Sequence, residues 1–100
     1  MKKLSISLIA LVSSTMILSA DGAAIYAKCA GCHGKNGEKP ALGKSELIRG
    51  WEVDKIEKTL KDYKAGTRNI HGMGSLMKGQ VSSLSDADIK AVAEYIHKLE

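Results

Sequence analysis

Phenylalanine is absent from this sequence, and aromatic side chains of any kind amount to one tryptophan and three tyrosines. Aromatic rings are the largest blocks of apolar area a core can bury, so a chain this poor in them cannot close a large core alone. No stretch alternates apolar and polar residues with period two, and no dipeptide announces a hairpin. A sheet domain is therefore excluded and an all-α domain expected. The only two cysteines stand three residues apart. A disulfide there would close too short a loop to stabilise much. Arginines do not cluster and aromatic residues do not interleave with basic ones, so nucleic acid is not an expected partner. A Ser-His-Asp set, paired carboxylates and a phosphate loop are all missing, which points away from an enzyme.

The chain opens Met-Lys-Lys and runs from Leu4 to Ala20 without a charge. A basic start followed by an apolar run has the layout of a secretory signal peptide over residues 1–20, cut after Ser19 or Ala20. Ser5, Ser7, Ser13, Ser14 and Thr15 interrupt the run, which at 17 residues is short for a membrane span. An uncleaved anchor is the alternative. Removing Lys2 and Lys3 leaves 13 basic against 11 acidic residues, a net charge of only +2 over residues 21–100. A domain of about 80 residues buries a modest share of its surface and often needs a disulfide, metal or cofactor to be stable.

Along that domain, residues 21–33 read as one helix capped by Asp21. Residues 34–44 hold three glycines and the only proline and read as a loop. A short helical turn is expected at 45–49, capped by Ser45 and ended by Gly50. Val53, Ile56, Leu60 and Tyr63 recur at helical spacing, giving a helix over 52–65 stopped by Gly66. Glycines 72, 74 and 79 break the pattern, so residues 67–83 read as a loop with at most one irregular turn. Ser85 and Asp88 form a capping box, and Ile89, Val92, Ala93, Ile96 and Leu99 make one apolar stripe, predicting a final amphipathic helix.

The chemistry concentrates in Cys29-Ala-Gly-Cys32-His33. A redox dithiol wants a helix N-terminus within a βαβ unit, whereas this pair ends its helix. A zinc site would have to draw on Cys29, Cys32, His33, His71 and His97, yet adjacent Cys32 and His33 reach one tetrahedral ion poorly. Covalent haem uses every residue: each cysteine adds to a vinyl group and His33 offers an imidazole to the iron. A second ligand then separates electron transfer from gas binding, and Met73 and Met77 are candidates, although a methionine's ordinary use is packing.

With "DGAAIYAKCAGCHG" in front, "GEKPALG" after it, a loop methionine, and "LSDADIKAVAEYI" at the end, the chain resembles class I cytochromes c, in particular the small monohaem periplasmic cytochromes of bacteria. The resemblance implies several short helices around one covalent haem c, with first and last helices crossed so that Tyr95 meets Ile25 or Tyr26. It implies Met77, four residues before Val81, as the distal iron ligand; Met73 is the alternative, and His71 a further one. Pro40 is implied as the carbonyl that orients His33, or it is simply a rigid turn. Trp51, Tyr63 and Arg68 would line the haem near its propionates, or the two rings could be core. The implied function is one-electron transfer by a periplasmic monomer, with membrane-bound or periplasmic oxidoreductases, a terminal oxidase or reductase, as partners. Lys28, Lys35, Lys39, Lys44 and Lys78 would surround the exposed haem edge or simply solvate the surface. A gas-binding haem module and a zinc module are the competing readings.

Overall fold

The computed structural model describes residues 21–100, so the leader reading over 1–20 and its cleavage point lie outside the described residues. Within them run five α-helices: α1 (Gly22–Tyr26), α2 (Ala30–His33), α3 (Val53–Ala65), α4 (Gly74–Val81) and α5 (Asp86–His97). A single 3-10 turn, Ala41–Gly43, lies between α2 and α3, and no strand occurs among the described residues. The all-α expectation holds.

The two helices with clear apolar stripes form as their sequences dictate. In α3, Ile56 and Tyr63 are buried, and Gly66 takes the left-handed conformation (φ 82°) that lets its N–H reach back to the Asp62 and Tyr63 carbonyls. In α5 the capping box is complete: Asp88 N–H donates to Ser85 Oγ at 3.1 Å and Ser85 N–H to Asp88 Oδ2 at 3.0 Å. Ile89, Val92, Ala93 and Ile96 are buried, while Leu99 lies past the helix end and only half-buried.

Three segments differ from the sequence-based expectation. Residues 21–33 are not one helix; after an Asp21 cap on the Ala23 and Ala24 N–H groups, the chain tightens at 27–29. There Lys28 N–H and Cys29 N–H donate to carbonyls only three residues back, Ile25 and Tyr26. The tightening lets α1 bury Tyr26 while α2 presents His33 to a different surface. Residues 45–49 are not helical either. Ser45 Oγ accepts the Ala41 N–H at 2.9 Å, closing the 3-10 turn behind it instead of capping a helix ahead. Packing of Ile48 and Trp51 onto the core overrides the local helix signal. Conversely, the glycine-broken stretch holds α4. Its first N–H, on Gly74, is taken by Asn69 Oδ1 at 2.7 Å, a cap from five residues upstream that no standard motif announces.

The core is divided. Tyr26, Ile56, Val92, Ala93 and Ile96 form one buried cluster, and Tyr63, Val81, Leu84 and Ile89 a second; Ile25 and Leu60 pack against both. Helices α1 and α5 cross at the first cluster, where the Tyr26 and Tyr95 rings lie 5.5 Å apart and tilted by 40°. That crossing is tight because Gly22 has no side chain: a Cβ there would fall on the Ala91 carbonyl, with the Tyr95 Cβ only 3.0 Å away. Gly22→Ala is therefore expected to destabilise the holoprotein by roughly 1–3 kcal/mol through overpacking, measured by chemical denaturation. Gly79→Ala on α4, where an added Cβ meets nothing within 4 Å, is the matched control and should leave stability unchanged or raised.

Candidate functional site

Between the two clusters lies a large apolar cavity, with about 1310 Å³ of space between atoms, part of it open to solvent. Its walls come from every element. Ile56, Val92 and Ile96 contribute from the first cluster and Tyr63, Val81 and Leu84 from the second. Cys29, Cys32 and His33 enter from the α2 side, and Met73 and Met77, one helical turn apart, from the α4 side. Trp51, Tyr63 and Arg68 also line it, as does His71, whose Nε2 is 3.7 Å from Glu46 Oε2.

Local geometry explains how the anchoring motif is held. His33 N–H donates to Cys29 O at 2.9 Å, so the helical turn stacks His33 directly on the first cysteine. Gly34 then turns the chain with φ 91°, a conformation that suits only glycine. Lys39 N–H returns to the His33 carbonyl at 3.0 Å. Glu38 Oε1 accepts the Asn36 N–H at 2.9 Å, which with other backbone hydrogen bonding holds its carboxyl below the usual range. Beneath the loop, the buried Tyr26 hydroxyl donates to the Gly34 carbonyl at 2.7 Å.

Burial sets the ionisation of the motif. His33 is 8% exposed, and desolvation lowers its pKa, so the imidazole is neutral at neutral pH, the form that binds iron. Burial pushes the Cys29 thiol up, while Cys32 is exposed, and no disulfide joins the two. Among the described residues, the buried His33 Nδ1 and Arg68 Nε have no hydrogen-bond partner, and both residues line the cavity. Buried donors are seldom left unmatched without a functional reason. Among the described residues no three His, Cys, Asp or Glu side chains come together to hold a metal ion, which removes the geometry a zinc module needs. An apolar cavity, two thiols on one wall, a neutral imidazole beside them and an unpaired arginine nitrogen fit a haem joined by thioethers, with a nitrogen ligand for its iron and a cation for its carboxylates.

Not every expected residue joins the cavity. Pro40 does not line it; its carbonyl accepts the Gly43 N–H at 2.8 Å. Of the five lysines, Lys28 alone lines the opening. Lys78 instead sets its ammonium beside Gly66, at the carbonyl end of α3 where a cation is favoured. Sequence reasoning missed Ala41, Leu42, Leu76 and Gln80 as wall residues. Leu42 is the one non-glycine residue with positive φ (52°) among those described.

This is the architecture of a covalent haem protein. The Cytochrome c family model matches residues 19–100. Cytochrome c-553 of Helicobacter pylori (strain ATCC 700392 / 26695) is 39% identical over 100 residues, the full length of both chains. Cytochrome c-553 of Nitratidesulfovibrio vulgaris (strain DSM 19637 / Miyazaki F) is 39% identical over 82 residues, covering 82% of this chain and 79% of that protein. The crystal structure of reduced recombinant cytochrome c4 from Pseudomonas stutzeri superposes with a TM-score of 0.65 at 33% identity, over 72% of this chain and 38% of that one. The chain belongs to the cytochrome c family, as a class I monohaem member. It carries one covalently attached haem c with iron and transfers electrons; it is not an enzyme.

The buried Tyr26 hydroxyl yields a test in alkaline solution. Desolvation raises its pKa from about 10 to about 12. The folded state thus holds this proton more tightly than the unfolded chain, and the stability it contributes is present below pH 10 and lost as pH rises through about 12. Subtracting the denaturation free energies of Tyr26→Phe from those of the parent isolates this effect from lysine titration. The difference should shrink from pH 10 upward; a difference that stays flat to pH 12 would show that the hydroxyl is not held as described.

Proposed function

We propose that this protein is a soluble periplasmic one-electron carrier in which Cys29 and Cys32 tether the haem and His33 and Met77 ligate its iron from opposite sides. The observation that carries this reading is that the thiols, the neutral His33 imidazole and Met77 wall the same apolar cavity. The haem supplies a ferric–ferrous couple, and a methionine sulfur opposite an imidazole favours the ferrous form and raises the potential.

Met77 is preferred over Met73 on packing. Met77 lies inside α4 and packs against the cluster of Tyr63, Val81, Leu84 and Ile89, so its position is fixed by a rigid element. Met73 is the non-helical N-cap residue (φ −108°) and packs against neither cluster. His71 as ligand is less favoured, since its imidazole faces Glu46. The Pro40 carbonyl retains a second lone pair beyond its Gly43 bond, and His33 Nδ1 is the donor it would take, fixing the tautomer. Arg68, stacked on Tyr63 with its Cζ 5.4 Å from the ring centroid, brings its unpaired Nε to the cavity as the cation for the propionates. Trp51 and Tyr63 complete the apolar wall that keeps water from the iron.

Residues 1–20 act in this reading as the export leader, cut after Ser19 or Ala20. No helix among the described residues is long and apolar enough to cross a membrane. The partners are donor and acceptor redox proteins, membrane-bound or periplasmic, met transiently by a monomer through the cavity opening beside Lys28.

Denatured protein should retain haem and give a pyridine haemochrome spectrum; its absence would sink the covalent-haem assignment. In the ferric holoprotein Met77→Ala should abolish the sulfur-to-iron charge-transfer band while Met73→Ala keeps it, and the reverse pattern would move the ligand to Met73. The reduced protein should bind carbon monoxide slowly or not at all at neutral pH, whereas rapid binding would assign a gas-binding role.

A further inference from the structure

Trp51, the only tryptophan in the chain, is gripped from two directions by groups that do not line the cavity. Its carbonyl is 2.8 Å from His97 Nδ1, at the last residue of α5. A carbonyl can only accept, so Nδ1 carries the proton in this contact, whether the imidazole is neutral or charged. The preceding residue is fixed to the same helix end, Gly50 N–H donating to Ile96 O at 3.3 Å. The indole itself lies under an ammonium: Lys55 Nζ, from the first turn of α3, stands 3.8 Å from the ring centroid. A cation at that distance is drawn to the ring face and holds it in place. Trp51 meanwhile lines the cavity and packs on the first apolar cluster.

We propose that His97 and Lys55 are positioning residues for Trp51, fixing its indole as an immobile wall of the haem cavity and thereby tuning the reduction potential from the ends of α5 and α3. His97 anchors the backbone of the wall and Lys55 its ring. A fixed, water-excluding wall disfavours the more highly charged ferric state, so the grip raises the potential; loosening it admits water and lowers the potential. The proposal rests on haem occupying the cavity that Trp51 lines.

The test uses the holoprotein and three readings: haem content by pyridine haemochrome, Trp51 emission, and reduction potential. Emission is quenched by a nearby haem, and with a single tryptophan it reports this wall alone. His97→Ala and Lys55→Gln are each expected to keep full haem content, to raise the emission and to lower the potential. His97→Asn, which restores a donor to the carbonyl, and Lys55→Arg, which restores a cation over the ring, should return both readings toward the parent. In a Trp51→Leu background, His97→Ala should no longer shift the potential. A shift of equal size in that background, or unchanged emission and potential in His97→Ala itself, would overturn the proposal. Absence of a haemochrome from the parent protein would instead overturn the haem assignment on which it rests.

Discussion

Among the described residues, Ile25 and Leu60 alone pack against both apolar clusters, and the cavity runs between those clusters along the same seam. Each cluster is too small to hold a domain together, because a chain this short buries a limited share of its apolar surface. The architecture therefore depends on what spans the seam. In the proposed reading, a planar apolar group joined through the Cys29 and Cys32 sulfurs would turn two partial cores into one, and the missing phenylalanines are the sequence's side of that dependence. Binding free energy and folding free energy are then coupled, as in other small cofactor-stabilised domains.

The same seam sorts the polar groups. Burial keeps the His33 imidazole neutral and leaves its Nδ1 and the Arg68 Nε without partners, while charged side chains lie mostly on outer helix faces. Lys58 pairs with Asp62 at 2.7 Å and Lys90 with Glu94 at 3.6 Å. Exposed pairs of this kind contribute little to stability, so the charges that matter are those at the cavity. Electron transfer needs a site that changes charge without changing shape, and helix-borne, packed walls provide that.

How much of this was legible in the sequence follows from what each segment packs against. Helices α3 and α5 bury stripes against other helices, so Ile56, Tyr63, Ile89, Val92 and Ile96 announce themselves by spacing, and the Ser85 cap by motif. The anchoring pentapeptide is legible because the chemistry needs those residues at that spacing. Helix α4 was hidden: one of its faces serves the cavity with Met77, Gln80 and Val81, and its glycines remove the remaining pattern. The turn at residues 41–43 and the extended stretch through Trp51 were hidden for a related reason, since Ala41, Leu42 and Ile48 answer to the cavity and core and not to local propensity. Met77 is proposed through resemblance, and its packing against the cluster of Tyr63 and Leu84 is the physical ground for preferring it to Met73.

Gly22, finally, bears on the order in which this molecule takes shape. Helix α1 has five residues, well short of what persists as an isolated helix in water, and its tightest approach is to Ala91 and Tyr95 on α5. The segment leading to the cysteines is thus ordered through residues that lie far along the chain from it. Helices α1 and α5 therefore order together, and the chain that carries Cys29 and Cys32 takes its place as that clasp closes.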